Sequence, residues 1–149
     1  DESSFNTVRR LVQYEDYLLR VMGAAGINTP RPYGFVVITP EREYLIVTDF
    51  VDGGKEILEA EVTDAIIDNA MRIVRQLWDA GVAHRDIKPS NLLVRGDEVH
   101  LIDVAFGEVR PSAWRQAVDL ANVMLTLMHK LGHTDMESFG DSTGTIAGV

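Results

Sequence analysis

His84, Arg85, Asp86, Lys88 and Asn91 fall within eight consecutive residues, and Asp103 follows Asp86 by seventeen positions. The surrounding stretch reads VAHRDIKPSNLLV. An amide oxygen from Asn91 and a carboxylate from Asp103 are hard donors suited to Mg²⁺. Lys88 adds a point charge that could face a phosphate. Asp86 is then left to accept a proton from a hydroxyl nucleophile. One base, two metal ligands and one cation are the parts that phosphoryl transfer uses. Taken singly, each residue has a plainer reading: Lys88 as a solvated surface charge, Asp103 as a strand-end cap, His84 and Arg85 as structural groups. Their spacing is what argues for a site.

These residues need elements that bring them together. Residues 63–80 carry Ile66, Ile67, Ala70, Met71, Val74, Leu77 and Trp78 at helical spacing, with Gly81 as the stop. NLLV and EVHLIDV read as two short strands joined by the turn RGDE, a hairpin that returns Asp103 beside the loop. A further helix is expected from about Ser112 to Leu131, with Trp114, Ala117, Val118, Ala121, Met124, Leu125 and Met128 on its apolar side and Gly132 at its end. Upstream, Val8, Leu11, Val12, Leu18, Leu19 and Met22 predict a first helix ended by Gly23 and Gly26. YGFVVI and YLIVTDF predict an antiparallel hairpin across the polar turn TPERE, with VDGG breaking its second strand. The tail DSTGTIAGV is small and polar and is expected to fray.

The chain has 149 residues, a net charge of −9 and no cysteine. That length suits one core without staples. The acidic balance argues against a nucleic-acid partner and against a polybasic membrane patch. Without cysteine there is no disulfide framework or thiolate metal site. No apolar run reaches the length of a spanning helix, so a cytoplasmic setting is expected, with any membrane link coming through a larger parent protein.

HRDIKPSN resembles the catalytic loop of the protein kinase family, and LIDVAFG is similar to its metal-binding segment. The resemblance implies an α+β fold of protein kinase-like type, with a partial small lobe (residues 1–54: a helix, two strands and a hinge) above a mainly helical large lobe (residues 55–149). It implies ATP and Mg²⁺ as cofactors, Asp86 as base, Lys88 at the phosphoryl group, and Asn91 and Asp103 as metal ligands. Thr48 falls at the gatekeeper place. Backbone groups of Asp49 and Val51 fall where adenine is hydrogen-bonded, and Leu93 falls on the adenine floor. Asp119 matches the aspartate that holds the catalytic loop from beneath. Glu15 matches the ion-pairing glutamate of the small-lobe helix.

The sequence departs from that pattern in two places. The lysines are Lys55, Lys88 and Lys130, so no lysine precedes Glu15, and no glycine-rich loop does either. The first small-lobe strands are therefore expected to lie outside this chain. Beyond Asp103 the segment is short, reading DVAFG in place of Asp-Phe-Gly, with about fifteen residues to Asp119. That shortness resembles RIO-like and bacterial small-molecule or lipopolysaccharide kinase groups. Two readings stay open: a Ser/Thr protein kinase-like phosphotransferase represented here by a fragment, and a non-catalytic nucleotide-binding or docking module. The acceptor hydroxyl (protein, sugar or lipid headgroup) is left open. An unpaired edge of YGFVVI makes a homodimer a further expectation.

Overall fold

The computed structural model describes residues 2–38 and 43–132. Helix α1 spans Glu2–Ala24. Among its described side chains the buried ones are Leu18, Leu19 and Met22, in the last turns, while Val8 and Leu11 are exposed. Gly26 ends the helix region at φ +79°, a backbone state that glycine adopts without a Cβ clash. Strands β1 (Pro32–Ile38) and β2 (Glu43–Thr48) form the expected antiparallel hairpin, with Phe35 opposite Ile46. The turn expected between them falls mostly outside the described residues, as does the C-terminal tail. Strand β2 ends at Thr48, before the VDGG stretch is reached.

A second sheet is built from β3 (Lys55–Glu56), β5 (Leu92–Arg95) and β6 (Glu98–Leu101), in the order β3-β5-β6. A third, of two residues per strand, pairs β4 (Val82–Ala83) with β7 (Glu108–Val109). Residue pairs this short carry no periodicity, which is why β3, β4 and β7 leave no mark in the sequence pattern. The strand expected to run through Asp103 stops at Leu101, and Asp103 itself takes φ +58°.

Helix α2 (Asp64–Asp79) begins at Thr63, whose side chain accepts from the Ile66 N–H. Capping of this kind satisfies one of the orphan donors of a first turn. Helix α3 (Ala113–Leu131) begins at Ser112 in the same way and ends at Gly132 with φ +76°. The core lies between α2, α3, the β5–β6 hairpin and the end of α1, and includes Leu18, Ile57, Leu77, Leu92, Leu101 and Leu127. Lys130 Nζ closes one side by donating to Leu58 O at 2.7 Å.

Two expected apolar faces need correction. Trp78 is partly exposed on α2. On α3, Trp114, Ala117, Ala121 and Leu125 face outward, and the buried stripe is Asp119, Val123, Met124, Thr126, Leu127 and Met128. The packed stripe includes the charged Asp119 in place of part of the most apolar one. A buried carboxylate needs donors, and Asp119 finds them in the loop at residues 82–91.

Candidate functional site

Asp119 is 1% exposed and accepts two backbone N–H groups, from His84 at 2.6 Å and from Arg85 at 2.9 Å. Burial raises its pKa, while those two bonds and the charge of Arg85 pull the other way. The bonds fix the start of the loop, where Arg85 takes φ +70°. A non-glycine residue there costs of order 1–3 kcal/mol and persists only when its surroundings hold it.

His84 is fully buried and bridges two segments. Its Nε2 donates to Ile102 O at 2.9 Å, and its Nδ1 accepts from the Asp86 N–H at 3.3 Å. One neutral tautomer satisfies both contacts. Burial accordingly lowers its pKa.

Asp86 is surrounded by its own loop. Lys88 Nζ lies 2.7 Å from Oδ2, and this hydrogen bond raises the Lys88 pKa. Asn91, at the end of the single 3₁₀ turn Pro89–Asn91, is buried and donates through Nδ2 to Asp86 O at 2.8 Å and to Oδ2 at 3.3 Å. With its nitrogen so engaged, the amide oxygen is the acceptor Asn91 has left. The Ile102 N–H donates to Asn91 O at 3.0 Å, which places the next residue, Asp103, beside the loop. Asp103 contributes to the raised Lys88 pKa.

The remaining expected residues converge on one cleft of about 260 Å³, lined by Glu15, Thr48, Asp49, Val51, Leu93 and Asp103 among others. The hinge geometry refines the backbone expectation. The Asp49 N–H is already given to Arg31 O at 2.9 Å, whereas Asp49 O carries only the Thr48 hydroxyl at 3.1 Å and retains a lone pair. The Asp49 carboxylate faces away from that task, accepting from Tyr33 OH at 2.6 Å. Gly54 keeps the chain tight under the hinge, since a Cβ there would lie 3.0 Å from Val51 Cγ1 and 3.1 Å from Val51 O.

Glu15 is partly buried in the cleft wall, and burial followed by the charge of Asp103 raises its pKa. No cation pairs with it among the described residues. Gly107 allows α1 to approach this closely: a Cβ would fall 2.9 Å from Leu18 Cδ1 and 3.0 Å from Val104 O.

Two features escape sequence reasoning. Glu108, on β7, approaches both Arg85 and Arg115. Phe50, next to the hinge, is 85% exposed. Only the β4–β7 pairing would have revealed the first. Among the described residues no helix is long and apolar enough to cross a membrane.

The chain is 32% identical over 111 residues to the KEOPS complex subunit Bud32 of Pyrococcus abyssi, covering 71% of this chain and 49% of that protein. It is 23% identical over 112 residues to serine/threonine-protein kinase D of Synechocystis, covering 72% of this chain and 22% of the relative. It is 28% identical over 148 residues to mitogen-activated protein kinase p38a of Drosophila melanogaster, covering 88% and 38%. The chain thus spans half or less of the length of these curated relatives. The RIO domain profile matches residues 2–139. The fold is therefore α+β and of partial protein kinase-like type, and the chain belongs to the RIO domain family, a family of kinase-like phosphotransferases.

Proposed function

We propose that this chain carries the core of an ATP- and Mg²⁺-dependent phosphotransferase that moves the γ-phosphoryl group to a hydroxyl, in the manner of a Ser/Thr protein kinase. The observation that carries the reading is the hydrogen-bond chain from Asp86 through Asn91 to Ile102, which gathers a carboxylate, an ammonium, an amide oxygen and Asp103. Asp86 accepts the proton of the attacking hydroxyl. Lys88, beside it, steadies the transferred phosphoryl. Leu93, the Asp49 carbonyl, the Val51 N–H, Thr48 and Glu15 line the cleft that would receive adenine.

The donor set fits Mg²⁺. That ion is commonly held by one or two side-chain oxygens, with substrate phosphates and water completing the shell. Asp103 and the amide oxygen of Asn91 are such donors. No group of three or more His, Asp or Glu side chains suited to a metal exists among the described residues, so an ion here would depend on the nucleotide as well. Bound there, it would neutralise charge on the phosphates.

In this reading residues 1–54 form the partial small lobe and residues 55–149 the large lobe. Nucleotide and a hydroxyl acceptor are the partners, in a cytoplasmic setting. A second reading, a non-catalytic nucleotide-binding or docking module, draws on Glu15, which has no cation partner among the described residues. The Pyrococcus abyssi relative, named as a complex subunit, gives that reading a parallel.

A thermal melt tests the proposal, run with and without Mg²⁺ and millimolar ATP on the natural chain and on Asp103→Asn. A ligand at a hundredfold excess over its Kd stabilises by about 2.7 kcal/mol. A Mg²⁺-dependent rise absent from the variant is expected. No rise in either would overturn nucleotide binding by this chain.

A further inference from the structure

Asp86 and Asp103 lie on separate segments, and their mutual placement depends on what joins those segments. Backbone bonds do part of this: Ala83 pairs with Glu108 across β4 and β7, and the Arg110 N–H donates to Gly81 O at 2.9 Å. Among the described residues, the three non-glycine residues with positive φ, Arg85, Asp103 and Arg110, all lie on these two segments. Such backbone states need outside restraint.

One side chain reaches both segments and the helix beyond. Glu108 Oε2 accepts from Arg115 Nη1 on α3 and lies 3.7 Å from Arg85 Nη1 on the loop. Among the described residues it is the one carboxylate within ion-pair distance of either guanidinium. Asp119 holds the Arg85 backbone, and Glu108 attracts its head.

We infer that Glu108 is a positioning residue: the Arg85–Glu108–Arg115 cluster holds the loop bearing Asp86 in register with the segment bearing Asp103. The carboxylate is permanent. Residues 104–111 contain no hydroxyl side chain, so this register does not wait on modification of that stretch. The functional meaning of the clamp rests on the proposed phosphotransfer site, but the clamp itself is a property of the ligand-free chain.

Amide hydrogen exchange on the ligand-free chain tests it, comparing the natural sequence with Glu108→Gln and Glu108→Asp. Both partners are partly exposed, and such ion pairs are worth up to about 1 kcal/mol, or about fivefold. Glu108→Gln should speed exchange at the Arg85 and Asp86 amides by about threefold to fivefold, with exchange along α2 unchanged. Glu108→Asp, which keeps the charge, should recover part of the loss. Arg85→Gln added to Glu108→Gln should cost little more, as expected of one shared interaction. Unchanged exchange at Arg85 and Asp86 in Glu108→Gln would overturn the clamp, as would an equal rise along α2.

Calorimetric titration with Mn²⁺ and a non-hydrolysable ATP analogue then separates the two ideas. Weaker binding in Glu108→Gln by a similar factor ties the clamp to the site. No binding by the natural chain sinks the nucleotide proposal while the exchange result still decides the clamp.

Discussion

The loop at residues 82–91 and the hairpin of β1 and β2 are held in opposite ways. The loop is irregular, but its His84 and Arg85 N–H groups, its His84 ring and its Asn91 amide nitrogen have named partners: Asp119 beneath, Ile102 beside and Asp86 across. The hairpin keeps five residue pairs in one register, from Gly34–Val47 to Ile38–Glu43, beyond a bulge between Pro32 and Gly34, but Val36, Val37, Leu45 and Val47 are exposed and few of its side chains reach the core. Buried polar networks that are fully satisfied specify one arrangement. A two-stranded hairpin is marginal by itself in water. Regularity of backbone and security of position are therefore separate properties here, and the residues proposed for chemistry sit on the secure part.

The largest expected effect breaks the chemistry without breaking the loop. Asp86→Asn keeps the side-chain shape and the backbone acceptor that Asn91 uses. Loss of a general base typically lowers rate by 10²–10⁴-fold. In the longest natural chain carrying these residues, Mg²⁺-dependent ATP turnover should fall by about that factor while the melting temperature stays close to that of the parent. Full turnover in the variant would remove Asp86 from the proposed role.

Asp119→Ala attacks the loop from beneath. It strips the acceptor from two backbone N–H groups in a buried setting, each worth roughly 1–3 kcal/mol when left unpaired. Urea unfolding should show a loss of about 2–6 kcal/mol, the sum over the two donors. Asp119→Asn, which retains one acceptor oxygen, should lose less. An Asp119→Ala protein of parental stability would mean that the loop holds its own shape.

The kinase-like loop motif and the downstream Asp103 could be picked out because they rest on residue type and spacing, which the chain states directly. The long helices were legible from the spacing of residues such as Ile66, Met71 and Leu77. The rotation of α3 was not, because its packed face includes the charged Asp119, and counting apolar residues points instead to Trp114 and Leu125. Nor was Glu108, since its proximity to Arg85 comes from two two-residue strands twenty-six positions apart. Burial of Asp119 could be weighed from sequence but not decided, because its donors are backbone groups of a distant loop.

Acidity should loosen the secure region first. Burial lowers the pKa of His84, and also that of His100, below the ordinary histidine value of about 6.5. A folded pKa below the unfolded one means that stability is fully present above about pH 6.5 and is lost as pH falls below it. Each such group contributes at most about 1.4 kcal/mol per pH unit. Asp119 and Glu15, with raised pKa values, act with the opposite sign: protonating them favours the fold, starting from the carboxylate range upward. The urea midpoint should therefore drop between pH 7.5 and 5.5, and the drop should be smaller in His100→Gln. A flat profile would mean that His84 and His100 are not held neutral by burial.

The smallest expected effect lies in the hairpin. Leu45 is half exposed on β2, and Leu45→Thr keeps a strand-favouring residue while removing apolar surface. Substitutions at such positions usually change stability by no more than about 0.5 kcal/mol. The same figure should hold at every protein concentration if the hairpin face is in water. A loss well above it that grows with concentration, together with a dimer mass by light scattering in the natural chain but not in the variant, would mean that a second copy covers the hairpin. The contrast between the two regions would then be one between a part secured within the chain and a part secured between chains.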